Sequence, residues 1–109
     1  MVRAGSVSVK SEKGKTIEIA DPFARRLVGK YLENRNDDIA KLTNALGSAD
    51  FETIRITGHN LLGSGAAYGF DDISTMGAGI ETAATNCDVP QIERLIGDLQ
   101  ELLRKITVR

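Results

Sequence analysis

The chain has 109 residues, enough for one hydrophobic core and too few for two, so a multidomain enzyme is excluded. Fourteen Lys and Arg against fifteen Asp and Glu leave a net charge of -1, without the basic excess that phosphate-backbone binding requires, which argues against nucleic acid as a partner. Hydrophobic residues at 41% and charged residues at 27% are the proportions of a folded domain, and a single cysteine, Cys87, with a single histidine, His59, furnishes neither an internal disulfide nor a four-ligand zinc site.

No apolar run approaches the roughly 18 residues that span a bilayer, and the N-terminus lacks the apolar stretch of a secretory signal, so a soluble, cytoplasmic chain with no membrane partner is expected. The N-terminal stretch is rich in Ser, Lys, Gly and Val, with two short alternating segments, SVSVK and TIEI, around Lys13-Gly14. Isolated hairpins are marginal in water, so residues 1–15 are expected to form a flexible extension and residues 16–109 the folded domain.

From Asp21 onward the period is helical. Asp21-Pro22 is an N-cap and first-turn pair, because proline lacks only a donor that would be orphaned there. The first helical region runs to about Leu46, with a break expected at Gly29, an apolar stripe at Ile39, Leu42 and Leu46, a solvated face over Glu33 to Asp38, and an end at Gly47-Ser48. Asp50 caps a second segment whose core seam is Phe51, Ile54, Gly58, Leu61, Gly65 and Tyr68. Gly69 stops it where left-handed backbone is needed. Asp71 or Asp72 caps the third segment, with Ile73, Met76, Ile80, Ala83 and Cys87 facing the core. Val89-Pro90 opens the last, whose stripe is Ile92, Leu95, Ile96, Leu99, Leu102, Leu103 and Ile106.

The last three segments have matching lengths, roughly 22 to 28 Å at 1.5 Å per residue. Their short links imply antiparallel neighbours, so the expected fold is all-α: an antiparallel up-down-up-down four-helix bundle with an N-terminal extension. Such a bundle has no built-in need to dimerise, and a monomer is expected.

His59 lies one residue past the core-facing Gly58, on a flank shared with Arg55, Ile56, Leu62, Gly63 and Ala66, so it faces outward. No nucleophile-elbow pattern accompanies it, which argues against hydrolysis. Glycine use on this helix is unusual, since each interior glycine costs about 1 kcal/mol relative to alanine. Gly58 and Gly65 lie on the core seam, where a missing side chain admits a neighbouring helix. Gly63, four residues after His59 on the outward flank, instead clears space beside the imidazole and points to a docking partner.

The stretch GHNLLGSGAAYGF, Gly58 to Phe70, resembles the signature helix of histidine-containing phosphotransfer (HPt) domains. The likeness extends from the Asp21-Pro22 entry through YLENRNDDIAKLTNAL and ADFETIRITGHNLLGSGAAYGF into the two closing helices. It implies a four-helix bundle with the phosphate-accepting histidine at His59 and the motif glycine at Gly63. It further implies a carrier without turnover of its own, exchanging phosphoryl groups with aspartates on receiver domains of response regulators or hybrid histidine kinases. No cofactor belongs to such a carrier; the magnesium ion and acidic pocket belong to the receiver.

The pattern departs from the family at Leu62, where a lysine or arginine usually stands near the phosphoryl group. Arg55 is the candidate for substitute charge. Asn60 and Ser64 flank the site as candidates to hydrogen-bond phosphate oxygens or the imidazole, and Ile56, Leu62 and Ala66 form an apolar stripe suited to transient docking. Two other readings stand beside the carrier: a degenerate HPt domain that docks receivers without accepting phosphate, and a plain structural bundle. Cys87, Met76 and Tyr68 are read as core filling.

Overall fold

The structure is a computed structural model and describes residues 15–109. The expected extension therefore lies, Lys15 apart, outside the described residues, as does the segment SVSVK. The elements in chain order are β1 (Lys15–Ile17), α1 (Pro22–Gly47), α2 (Phe51–Ala67), α3 (Asp71–Thr85), α4 (Val89–Lys105) and β2 (Ile106–Val108). The four helices form the expected all-α antiparallel bundle.

Each helix start has a local cause. The Asp21, Asp50 and Asp88 side chains accept from the backbone N–H groups of Phe23, Thr53 and Gln91, satisfying donors that the first helical turn leaves orphaned. At α3 the expectation fails: Phe70 occupies the cap position with no side-chain bond. Asp71 and Asp72 stand inside the first turn instead, where their charge favours the positive end of the helix dipole.

The ends of α1, α2 and α3 close in one way. The N–H groups of Asp50, Phe70 and Asp88 reach back five residues to the carbonyls of Ala45, Gly65 and Ala83 at 2.8, 2.7 and 2.8 Å. This closure needs a left-handed residue just before the donor, supplied by Ala49 (φ 56°), Gly69 (φ 81°) and Cys87 (φ 52°). Cys87 is thus an exposed turn residue and not the core residue its spacing suggested. The break expected at Gly29 is also absent, and α1 runs through it as one helix. A lone glycine costs about 1 kcal/mol, too little to interrupt a helix that packs Val28, Tyr31 and Leu32 on either side of it.

The fully buried side chains Leu42, Ile54, Leu61, Ile73, Ile80, Ile92 and Leu99 draw on all four helices. Met76 is only partly buried, and Tyr68 is 45% exposed, its ring stacked on that of Tyr31 instead of entering the core. Between α2 and α3 the backbones themselves touch. A Cβ added to Gly58 would lie 2.7 Å from the Glu81 nitrogen, one on Gly65 2.5 Å from the Ser74 nitrogen, and one on Gly77 2.5 Å from the Leu62 nitrogen. Only glycine permits that approach, and it lets the Ser74 hydroxyl donate to the Leu62 carbonyl at 2.8 Å.

Ile106 leaves α4 as the first residue of β2, which pairs in parallel with β1 in the register Lys15 to Ile106, Thr16 to Thr107 and Ile17 to Val108. Bonds of 2.8 Å from Ile19 N–H to the Arg109 carbonyl and from Arg109 N–H to the Ile17 carbonyl extend the ladder. The TIEI segment thus joins the far end of the chain, and Ile17 and Ile106 pack against the core from this ribbon.

Candidate functional site around His59

His59 follows directly on the contact point of α2 with α3, and that contact gives it a partner. Its side chain is 65% exposed, with Nδ1 3.3 Å from Oε1 and 3.2 Å from Oε2 of Glu81 on α3. Glu81 is itself only 28% exposed. Gly77 lies one helical turn before Glu81, so the glycine contact that brings the backbones together also sets the carboxylate beside the imidazole. In the neutral tautomer that satisfies this contact, Nδ1 carries the proton and donates to Glu81, and Nε2 keeps its lone pair.

Around this pair, Gly63 has nothing within 4 Å of the place its side chain would take. Ile56 and Ala66 are exposed, Asn60 is exposed, and Leu62 is half-buried with its backbone against Gly77. Arg55 is turned away from the histidine. Its Nε and Nη2 donate to Oε1 and Oε2 of Glu52 at 3.1 and 2.7 Å, toward the helix N-terminus. That fork raises the guanidinium pKa and lowers the Glu52 carboxyl below its usual range.

The Ser64 hydroxyl points to α1, not to His59. It lies 2.9 Å from the Tyr31 hydroxyl and accepts from Arg35 Nη1 at 3.1 Å. Arg35 also lies 4.3 Å from the centre of the Tyr31 ring, and its Nε sits 3.2 Å from Asp38 Oδ2, at ion-pair distance but not aligned as a hydrogen bond. Burial raises the Asp38 pKa, against the opposing pull of Arg35 and Lys41. This network fixes α2 against α1 from the side opposite Glu81.

Of the residues singled out in the sequence, His59, Ile56, Gly63 and Ala66 share one open face, with Leu62 at its edge. Arg55 and Ser64 are committed to other partners. Glu81 and Gly77 were not singled out. The signal that finds them is the second interior glycine run, Met76 to Gly79, opposite the glycines of α2: two facing glycines mark a helix contact, and Glu81 lies one turn beyond it.

An all-α bundle that holds one exposed imidazole on a helix anchored on both sides defines a class of protein, the small histidine-bearing four-helix domain. A family model described as Hpt domain matches residues 26–106, and the chain belongs to that family. Hpt domains are phosphotransfer carriers of two-component signalling, not independent catalysts, and interact with receiver domains. No curated protein and no solved structure matches the chain significantly. Among the described residues, no helix is long and apolar enough to cross a membrane.

Proposed function

We propose that the chain is a cytoplasmic phosphorelay carrier that accepts a phosphoryl group on Nε2 of His59 and exchanges it with receiver-domain aspartates. The observation that carries this reading is the exposed imidazole whose Nδ1 is held by Glu81 while open space lies over Gly63. The Nε2 lone pair attacks phosphorus in line, the phosphorus–oxygen bond to the receiver's aspartate breaks, and the carboxylate leaves with the electron pair. The Nδ1 proton stays on the ring, where the Glu81 carboxylate balances the positive charge that develops there. Return transfer reverses each movement. Little else is demanded of the carrier, because phosphoryl transfer depends mainly on positioning and charge stabilisation, and the receiver brings magnesium and its acidic pocket.

Incubation with a phosphorylated receiver domain tests the proposal. Acid-labile, alkali-stable phosphate on the wild-type chain and none on His59→Gln is the expected result; a chain that stays unlabelled with every receiver of its organism refutes it. A second reading, a receiver-binding adaptor that takes no phosphate, draws on Leu62 and on the commitment of Arg55 to Glu52, which leave no free cation beside the imidazole among the described residues. Binding to a receiver without labelling is its signature.

A further inference from the structure

The ribbon of β1 and β2 has an open edge. Arg109 takes the Ile17 carbonyl and the Ile19 N–H. The N–H and C=O of one strand residue point to the same side, so Thr16 and Glu18 direct theirs to the opposite edge, where no described residue pairs with them. Side chains alternate along the same strand: Ile17 and Ile19 are half-buried, Thr16 and Glu18 exposed. Beside this strand runs a groove lined by Ile17, Ile19, Val28, Tyr68, Gly69 and Phe70. No residue of β2 lines it, so it lies on the side of β1 away from β2, and a strand added to the open edge would cover it.

We propose that the chain's own residues 6–10, SVSVK, fill this edge as a third, antiparallel strand and seat Val7 and Val9 in the groove. Fourteen residues precede Lys15, the first residue of β1. The return over residues 11–15 contains Gly14 and has a length usual for a hairpin loop. Pairing Lys10 with Thr16 and Ser8 with Glu18 uses the open N–H and C=O groups of β1.

That register sets Val9 opposite Ile17 and Val7 opposite Ile19, so the two valines share the face that already meets Val28, Tyr68 and Phe70. Ser6, Ser8 and Lys10 fall on the outer face with Thr16 and Glu18, and Lys10 stands diagonal to the Glu18 carboxylate. A slip of one residue would turn both valines to solvent and bring Ser8 and Lys10 into the groove, so the alternation of the segment selects its register. A hairpin alone is marginal in water, but this one is backed by β2 and by the packing of Ile17 on the core. A strand from another molecule would have to displace a tethered one, whose effective concentration is on the order of millimolar.

Hydrogen exchange on the full chain reads the outward amides of Thr16 and Glu18 directly. In the wild type they should exchange at least tenfold more slowly than in Val7→Asp/Val9→Asp, and Ser6→Lys/Ser8→Lys, altered on the outer face only, should keep the protection. Nuclear Overhauser contacts from the Val7 and Val9 methyl groups to the Tyr68 ring are expected in the wild type, and they decide the matter without any variant should the aspartate pair unfold the chain. Equal exchange of the Thr16 and Glu18 amides in the wild type and the valine variant overturns the proposal, as does the absence of those contacts. Loss of protection in the serine variant alone overturns the register. Protection that disappears on dilution overturns the intrachain strand, because a second copy would then be supplying it.

Discussion

At position 62 the chain places an isobutyl group one turn beyond the imidazole, and among the described residues the site has no cation to spare, because Arg55 is forked onto Glu52. A phosphoryl group on Nε2 would therefore meet the Glu81 carboxylate through the ring and, among the described residues, no ammonium beside it. Residues three apart on a helix are neighbours, and an exposed pair is worth about 0.2–1 kcal/mol, with more to be gained when a docked partner excludes water. Leu62→Lys keeps an aliphatic stem at this half-buried position and adds the missing charge at its tip. We expect it to raise the equilibrium share of phospho-His59 against a given receiver by roughly two- to tenfold and to weaken receiver affinity, because the apolar contact is lost. Acid-labile label at equilibrium and a binding isotherm read the two effects. If neither moves, Leu62 is not part of the phosphate environment or the docking face.

Glycine separates the two faces of α2 more sharply than any other residue type does. Gly63→Ala adds a methyl group where nothing lies within 4 Å, so only helix propensity acts, and stability should rise by up to about 1 kcal/mol. Gly77→Ala puts the same methyl group 2.5 Å from the Leu62 nitrogen and 2.6 Å from the Gly58 carbonyl oxygen. Backbone cannot yield as a side-chain tip can, so α2 and α3 must separate, at a cost of about 3 kcal/mol or more. The two melting temperatures should shift in opposite directions; a matching shift would contradict the assigned contact. The same contrast shows what the sequence could disclose. Gly58 and Gly65 were readable as close-approach positions because they share a period with Ile54 and Leu61, and Gly63 because it does not. Glu81 was not, since 22 residues separate it from His59 and no single-helix pattern joins them. Ala49 and Cys87 hid their turns because neither carries the usual signature of left-handed backbone, whereas Gly69 displayed its own.

Across the whole molecule, the bundle was legible and its upper end was not. Apolar periodicity reports which side of a helix meets a core, and it located α2, α3 and α4 closely; it carries no information about a three-residue parallel pairing between segments some ninety residues apart in the chain. That ribbon bears on stability in a way that can be measured. The α2–α3 contact is backbone against backbone and lies deep among Ile54, Leu61, Ile73 and Ile80, so its amides should exchange only on global unfolding. The first turns of α1, residues 22–30, lack such cover, with Phe23 and Leu27 exposed, and are held at their base by the ladder from Lys15 to Arg109. Arg109→Pro deletes the N–H that donates to the Ile17 carbonyl at 2.8 Å and adds no bulk to the core. Hydrogen exchange over residues 24–30 should then quicken by about tenfold or more, the equivalent of about 1.4 kcal/mol of local stability, while amides between Ile54 and Leu62 keep their protection and His59 keeps its labelling by phosphoramidate. A uniform rise across all four helices would mean that the ribbon belongs to the global folding unit, and that the start of α1 does not open independently of the bundle.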